Sequence, residues 1–247
     1  RVVWSLVFVL GVVALARGWR RLRALLRPRA IGLLAPRIRH PVLTDLELGE
    51  TPVRITGHIA SLKWTRPEYA QRLTKQMGRD VDYTKSPAED FASVIIEFET
   101  DDGHRVVGEA TTSWSFVGAG LRLSAELLGP EYSMSWNSLD SGLRLFFSRE
   151  VRGRAGEDLV EKQNAEVGQM PVVPHEWVAY GYEGEDRHFV RAFRRGETPM
   201  LTFDDGLDVV KLLMTAYQSA EQGKTLRFPG KGLDTYVPRV ARGEWRP

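Results

Sequence analysis

The chain has 247 residues and no cysteine, with 34 Lys+Arg against 32 Asp+Glu and a formal net charge of +2. With 43% hydrophobic and 27% charged residues, 23 Gly and 13 Pro, it is globular in composition, which excludes a disordered or low-complexity chain. The lack of Cys excludes disulfide frameworks, thiolate metal sites and a Cys nucleophile.

The charge is unevenly divided. Residues 1–40 hold nine Arg, no Lys and no acid, and Asp45 is the first carboxylate. From residue 41 onward, 25 basic groups face 32 acidic ones, a net −7. A basic leader thus precedes a mildly acidic body large enough for one large domain or two small ones. Within the leader, residues 2–16 are uncharged and only Ser5 is polar, while Arg17, Trp19, Arg20 and Arg21 follow. A spanning helix wants roughly twenty apolar residues, and basic residues after such a run would hold the body on the cytoplasmic side. Three readings stay open. The leader tethers a cytoplasmic body to a membrane; it is a signal peptide with Ala14-Leu15-Ala16 as cleavage site, although its charge follows the apolar run; or it does not belong to the fold.

The body opens, after Gly49-Glu50-Thr51-Pro52, on residues 53–62, where Val53, Ile55, Ile59 and Leu62 predict a half-buried strand with a break at Gly57. Residues 66–77 predict a helix, with Pro67 at its start and Gly78 after its end. Residues 91–98 and 105–114 predict two strands joined at Asp101-Asp102-Gly103, since an Asp-Gly pair between β-rich runs signals a hairpin. Further strands are expected at 121–127, 132–137 and 142–147, separated by Gly, Pro and Ser-Asp punctuation. Successive strands with tight connections predict an antiparallel sheet.

The last third is helical. Residues 185–195 place Phe189, Val190 and Phe193 on one helix face, closed by Gly196. Thr202-Phe203-Asp204-Asp205 has the form of a capping box, with Asp205 in place of the usual Glu. Leu207, Val210, Leu213, Met214 and Tyr217 follow at helical spacing, and Gly223 stops the helix. Strands first and helices last predict an α+β fold, an open, mostly antiparallel sheet with both helices packed on one face.

Residues 185–226 resemble the C-terminal end of the Gfo/Idh/MocA oxidoreductases, the glucose-fructose oxidoreductase and inositol dehydrogenase group. The matching text is Phe189-Val190-Arg191-Ala192-Phe193-Arg194-Arg195-Gly196-Glu197-Thr198-Pro199, then Thr202-Phe203-Asp204-Asp205-Gly206-Leu207, then Ser219-Ala220-Glu221-Gln222-Gly223-Lys224. The resemblance extends back through residues 90–114 and 127–134 to about Val53. It implies that residues 41–247 form the family's substrate-binding and oligomerisation domain, with a sugar or polyol as small-molecule partner and a homo-oligomer formed through the sheet face. The family's Rossmann half, with its glycine-rich phosphate turn, has no match; Gly118-Ala119-Gly120 supplies only G-x-G. The family's catalytic Lys and its D-x-x-x-H pair are also unmatched, so no catalytic residue is assigned. NAD or NADP belongs to the complete family enzyme, and neither is expected to bind this chain alone.

The resemblance offers candidate substrate-binding residues, each with a structural competitor. Trp114, at the end of the return strand, would lay a flat ring on a sugar or simply pack at the sheet edge. Lys63 would donate to hydroxyls, or be a solvated strand-end Lys. Tyr83 and Asp90 flank the loop before the second strand, where Asp90 could serve only to cap a turn. His188, after Glu185, Asp186 and Arg187, sits beside carboxylates that favour its charged form, but adjoins the Phe189 face. No His pair has metal-ligand spacing, and no metal is expected. The acidic body disfavours nucleic acid as a partner. The expected function is the substrate-binding portion of an NAD(P)-dependent sugar or polyol dehydrogenase. The alternative is a non-enzymatic carbohydrate-binding or protein-interaction domain tethered by its leader.

Overall fold

The computed structural model describes residues 51–62, 66–77, 89–100, 103–113, 122–128, 133–140, 144–148, 168–171, 175–179 and 181–247. Residues 1–50, with the leader and its alternative readings, lie outside these. In chain order the elements are β1 (Thr51–Ala60), α1 (Pro67–Met77), β2 (Phe91–Glu99), β3 (Arg105–Ser113), β4 (Ser124–Leu128), β5 (Ser133–Asn137), β6 (Arg144–Phe147), β7 (Gly168–Pro171), α2 (Glu176–Ala179), α3 (Tyr182–Arg195), α4 (Phe203–Gln222) and β8 (Leu226–Arg227). They divide into two compact units interleaved along the chain. One takes in the described residues up to 61 and those of 88–114 and 200–247, the other those of 62–87 and 115–199.

The first unit is a four-stranded antiparallel sheet, in the order β3-β2-β1-β8, with α4 on one face. Alternation decides which side chains turn inward: Val94, Ile96 and Phe98 of β2 are buried while Ile95 between them is exposed. On α4, Val209, Leu212, Leu213 and Ala216 follow the i, i+3, i+4, i+7 spacing of one helix face. These residues and Ile55 form one core, with Val106, Met214 and Phe228 packed against it. The capping box read from Thr202 and Asp205 is formed: Thr202 N–H donates to Asp205 Oδ2 at 2.8 Å, and the Thr202 side chain accepts from Asp205 N–H. Gly223 closes α4 in the left-handed conformation at φ 61°.

Gly57 does not break β1, which runs unbroken from Thr51 to Ala60. A Cβ at Gly57 would stand 2.3 Å from the Ala216 carbonyl oxygen, so glycine is there because the α4 backbone lies directly on the strand. Gly57 N–H donates to Ser219 Oγ at 2.9 Å, and Ser219 Oγ donates to Lys224 O at 2.6 Å.

After α4 the chain returns across its own unit as a strap that the local sequence patterns do not announce. β8 pairs beside Arg54 and Ile55, and Phe228 N–H donates to Val53 O at 2.9 Å. Thr215 Oγ1 accepts from Gly230 N–H at 3.0 Å, Gln218 Nε2 donates to Lys231 O at 2.9 Å, and Glu221 Oε1 accepts from Arg239 N–H at 2.6 Å. These bonds explain why Thr215, Gln218 and Ser219, all polar, are buried on α4: each satisfies a backbone group of the strap or of β1.

In the second unit the strands expected at 121–127, 132–137 and 142–147 are present as β4, β5 and β6. Among the described residues they do not extend the first sheet as the run of tight connections suggested; β4 pairs with β5, and β6 with β7. Both are antiparallel ladders. Helix α3 starts three residues earlier than expected and also belongs to this unit, while α4 packs on the four-stranded sheet of its own unit.

Candidate functional site

The strands of the first unit are in register at one end of their sheet. Ala60 faces Phe91 across β1 and β2, and Phe91 faces Ser113 across β2 and β3. Just beyond this row, Asp90 N–H donates to Ala60 O at 3.2 Å and Ser113 Oγ donates to Asp90 O at 2.8 Å. Asp90 is thereby locked by its backbone into the end of the ladder, and it is only 1% exposed. Glu89, one residue earlier, is half-buried, and its Oε1 accepts from the hydroxyl of Tyr217 on α4. Ser61 N–H donates to Pro247 O at 3.0 Å, so the strap ends here too.

Of the five residues singled out in the sequence, Lys63, Tyr83 and Trp114 lie outside the described residues. Asp90 is at the strand-end row, in the first unit. His188 belongs to the second unit, on α3, where its ring meets Phe189 edge-on at 5.9 Å and Phe189 stacks on Phe193 at 5.9 Å. Sequence reasoning missed Glu89 and read Tyr217 as core alone. A tyrosine at the end of an apolar stripe carries a hydroxyl that needs a partner once buried, and that signal would have pointed to a polar group nearby.

Chemically, the strand end offers carboxylate oxygens and hydroxyls. A carboxylate with one lone pair taken by a phenol keeps acceptor sites for the hydroxyls of a ligand. Among the described residues there is no cluster of His, Asp and Glu able to hold a metal ion. A dinucleotide fares no better there: every described strand pair is antiparallel, and no described strand runs through a glycine-rich turn into a helix. Among the described residues, then, there is no glycine-rich cradle for a pyrophosphate.

The opposite face of the sheet is open and polar. Arg54 Nη1 lies 3.3 Å from Glu97 Oε1, Arg105 Nη1 lies 3.4 Å from Glu97 Oε2, and Ser93 Oγ and Thr111 Oγ1 are 3.0 Å apart. Ile95 and Val107 are exposed among them. Within the strap, the enclosed Tyr236 hydroxyl has no partner in hydrogen-bonding geometry. Burial first, and then the nearby Glu221 carboxylate, hold its ionisation well above the ordinary tyrosine range, against the opposing pull of Arg242 and Arg239.

Compared with solved structures, the chain is similar to GenD2 from gentamicin A biosynthesis in complex with NAD, at 24% identity and a TM-score of 0.53, over 76% of this chain and 45% of that one. The fold is that of the Gfo/Idh/MocA oxidoreductases. A probable dehydrogenase from Thermotoga maritima is also similar, at 15% identity and a TM-score of 0.42, over 75% of this chain and 44% of that one. So is myo-inositol 2-dehydrogenase from Lactobacillus plantarum, at 19% identity and a TM-score of 0.40, over 72% and 42%. The chain spans less than half the length of these proteins. No protein-family model and no curated protein matches it. No helix among the described residues is long and apolar enough to cross a membrane; residues 2–16 lie outside them.

Proposed function

We propose that this chain is the substrate-binding and oligomerisation portion of an NAD(P)-dependent sugar or polyol dehydrogenase. The observation that carries the reading is the fold, which over 76% of this chain matches under half of a protein solved with NAD. The part of the reaction left to this chain is to hold and orient the polyol. The strand end supplies an acceptor at Glu89, and Lys63, Tyr83 and Trp114 follow or precede the same strands in sequence. Trp114 would lay an aromatic face on the apolar side of the ring, while Lys63 and Tyr83 donate to its hydroxyls. Asp90, buried as it is, acts by fixing the row rather than by presenting its carboxylate to solvent. His188, on α3 of the second unit, is a further candidate for substrate contact. Oligomerisation uses the open sheet face around Ile95. A membrane tether through residues 2–16 is compatible with this role.

The test is titration calorimetry on the purified full chain with a panel of hexoses and inositols, then with NADH and NADPH. Saturable polyol binding that Trp114→Ala weakens about tenfold or more supports the reading, a loss of that size being ordinary for one buried aromatic contact. Tight nicotinamide binding would overturn the division of labour, and no polyol binding at any accessible concentration would overturn the substrate role.

A further inference from the structure

The strand-end row holds a carboxylate that is fixed in place and yet keeps most of its capacity to accept hydrogen bonds. Tyr217, one helical turn past Leu213 on α4, is only 5% exposed, and its hydroxyl donates to Glu89 Oε1. Among the described residues this is the one hydrogen bond or ion pair that Glu89 makes. A phenol is neutral, so it takes up one lone pair of the carboxylate and leaves the negative charge uncompensated. The adjacent Asp90 differs: it is 1% exposed and tied by its backbone to Ala60 and Ser113, whereas Glu89 is half-buried and tied through its side chain. A glutamate beside a strand end ordinarily samples many rotamers. Here that freedom is removed in advance by a tyrosine packed on a helix that is capped at both ends.

We propose that Glu89, held by Tyr217, is a specificity-determining residue of the polyol site: it accepts from ring hydroxyls and turns away sugars that carry a negative charge, such as uronates and sugar phosphates. This rests on the reading of the chain as the substrate-binding portion of a polyol dehydrogenase. Neutral hydroxyls donate to a carboxylate and bring no charge of their own, and a bond to a charged acceptor is stronger than one to a neutral acceptor. A second carboxylate or a phosphate in the same place meets like charge, which within about 5 Å at a protein surface costs about tenfold or more in affinity. Tyr217 acts through Glu89 and is a positioning residue. Without its hydroxyl the Glu89 side chain is ordered only at the moment of binding, a loss of about three- to tenfold for one side chain.

The test is titration calorimetry on the purified full chain with myo-inositol and glucose against glucuronate and glucose 6-phosphate, with circular dichroism confirming that each variant is folded. The parent is expected to bind the neutral sugars about tenfold or more tighter than the anionic ones. Glu89→Gln keeps the shape and removes the charge; it should weaken the neutral sugars about three- to tenfold and bring the anionic ones to within about threefold of them. Tyr217→Phe should weaken myo-inositol about three- to tenfold in the parent and add nothing on a Glu89→Ala background, a non-additivity that a general loss of stability does not produce. Should Tyr217→Phe fail to fold, Glu89→Gln still decides whether the charge selects. Myo-inositol binding that Trp114→Ala weakens, with affinity and discrimination untouched by Glu89→Gln, would overturn the proposal and leave the substrate reading standing. Equal effects of Tyr217→Phe on both backgrounds would overturn the positioning role. A chain that binds none of these sugars overturns the substrate reading and the proposal together.

Discussion

Replacing Gly57 by Ala tests the contact on which the first unit is built. The added Cβ would stand 2.3 Å from Ala216 O, 2.9 Å from Ala216 C and 3.1 Å from its Cα, all backbone atoms, where ordinary contact begins at 3.4 Å. No side chain can swing aside, so α4 must recede from β1 by about 1 Å. A gap of that size forfeits a quarter to a half of the dispersion energy of each facing pair, and the helix face concerned carries Val209, Leu212, Leu213 and Ala216. Overpacking of a core position costs about 1–3 kcal/mol, and lengthening the bond from Gly57 N–H to Ser219 Oγ adds about 1 kcal/mol. The expected loss is therefore about 3 kcal/mol, a large share of the 5–15 kcal/mol typical of a domain. Urea unfolding followed by far-ultraviolet circular dichroism reads it as a lower midpoint at a similar slope. Two further variants sharpen the outcome. Ala216→Gly added to Gly57→Ala should bring no rescue, because the clash is with backbone atoms that the second change leaves in place. Ser219→Ala added to Gly57→Ala should cost less than Ser219→Ala alone, since the receding helix has already loosened that bond. A loss below about 0.5 kcal/mol for Gly57→Ala would refute the close approach, being within the range of substitutions that touch nothing.

Thr202→Ala removes the side-chain arm of the α4 capping box while leaving Thr202 N–H on Asp205, and should lower stability by about 1 kcal/mol, while Thr202→Ser should retain most of it, as read from urea midpoints. Tyr236→Phe deletes a buried hydroxyl with no partner, so at neutral pH it should leave stability unchanged or raise it slightly. The same residue gives a pH dependence. Its ionisation is raised in the fold, so its contribution is fully present below about pH 10, the unfolded value, and is lost as pH rises beyond it, where the unfolded chain releases its proton first. Unfolding midpoints between neutral and strongly alkaline pH should fall less steeply in Tyr236→Phe than in the parent, and identical slopes would contradict the assignment.

What could be read from the sequence was local. The capping box at Thr202 and Asp205, the Gly223 stop and the hairpin between β2 and β3 each depend on residues a few positions apart, and each is found. The fold class followed from the order of strands and helices, and the family resemblance carried the rest of the fold. What was misread depends on distance along the chain. Gly57 looked like a strand break because its reason, the Ala216 backbone, is supplied from α4. β8 is two residues long and has no periodicity to detect, and the polar faces of Thr215 and Gln218 make sense only once the strap lies over them. At the candidate site Asp90 was singled out for the loop it flanks, and the structure gives it a buried place at the end of the ladder. Glu89 was passed over because its partner Tyr217 is 128 residues away.

The bonds that tie β1 to the end of α4 and to the strap set the order in which this protein can be made. Gly57 meets Ser219 across 162 residues, and Thr56 meets Thr225 across 169. A chain leaving the ribosome therefore releases β1, β2 and β3 long before the helix that covers them, and Ile55, Ile96 and Phe98 stand uncovered while residues 115–199 of the second unit are still being synthesised. Closing so long a loop is slow relative to forming a hairpin, though its entropic cost grows only with the logarithm of its length. The second unit can gather its own ladders during that wait, whereas the first matures last and all at once. Nascent chains stalled before residue 203 should engage holding chaperones, and those released after β8 should let them go.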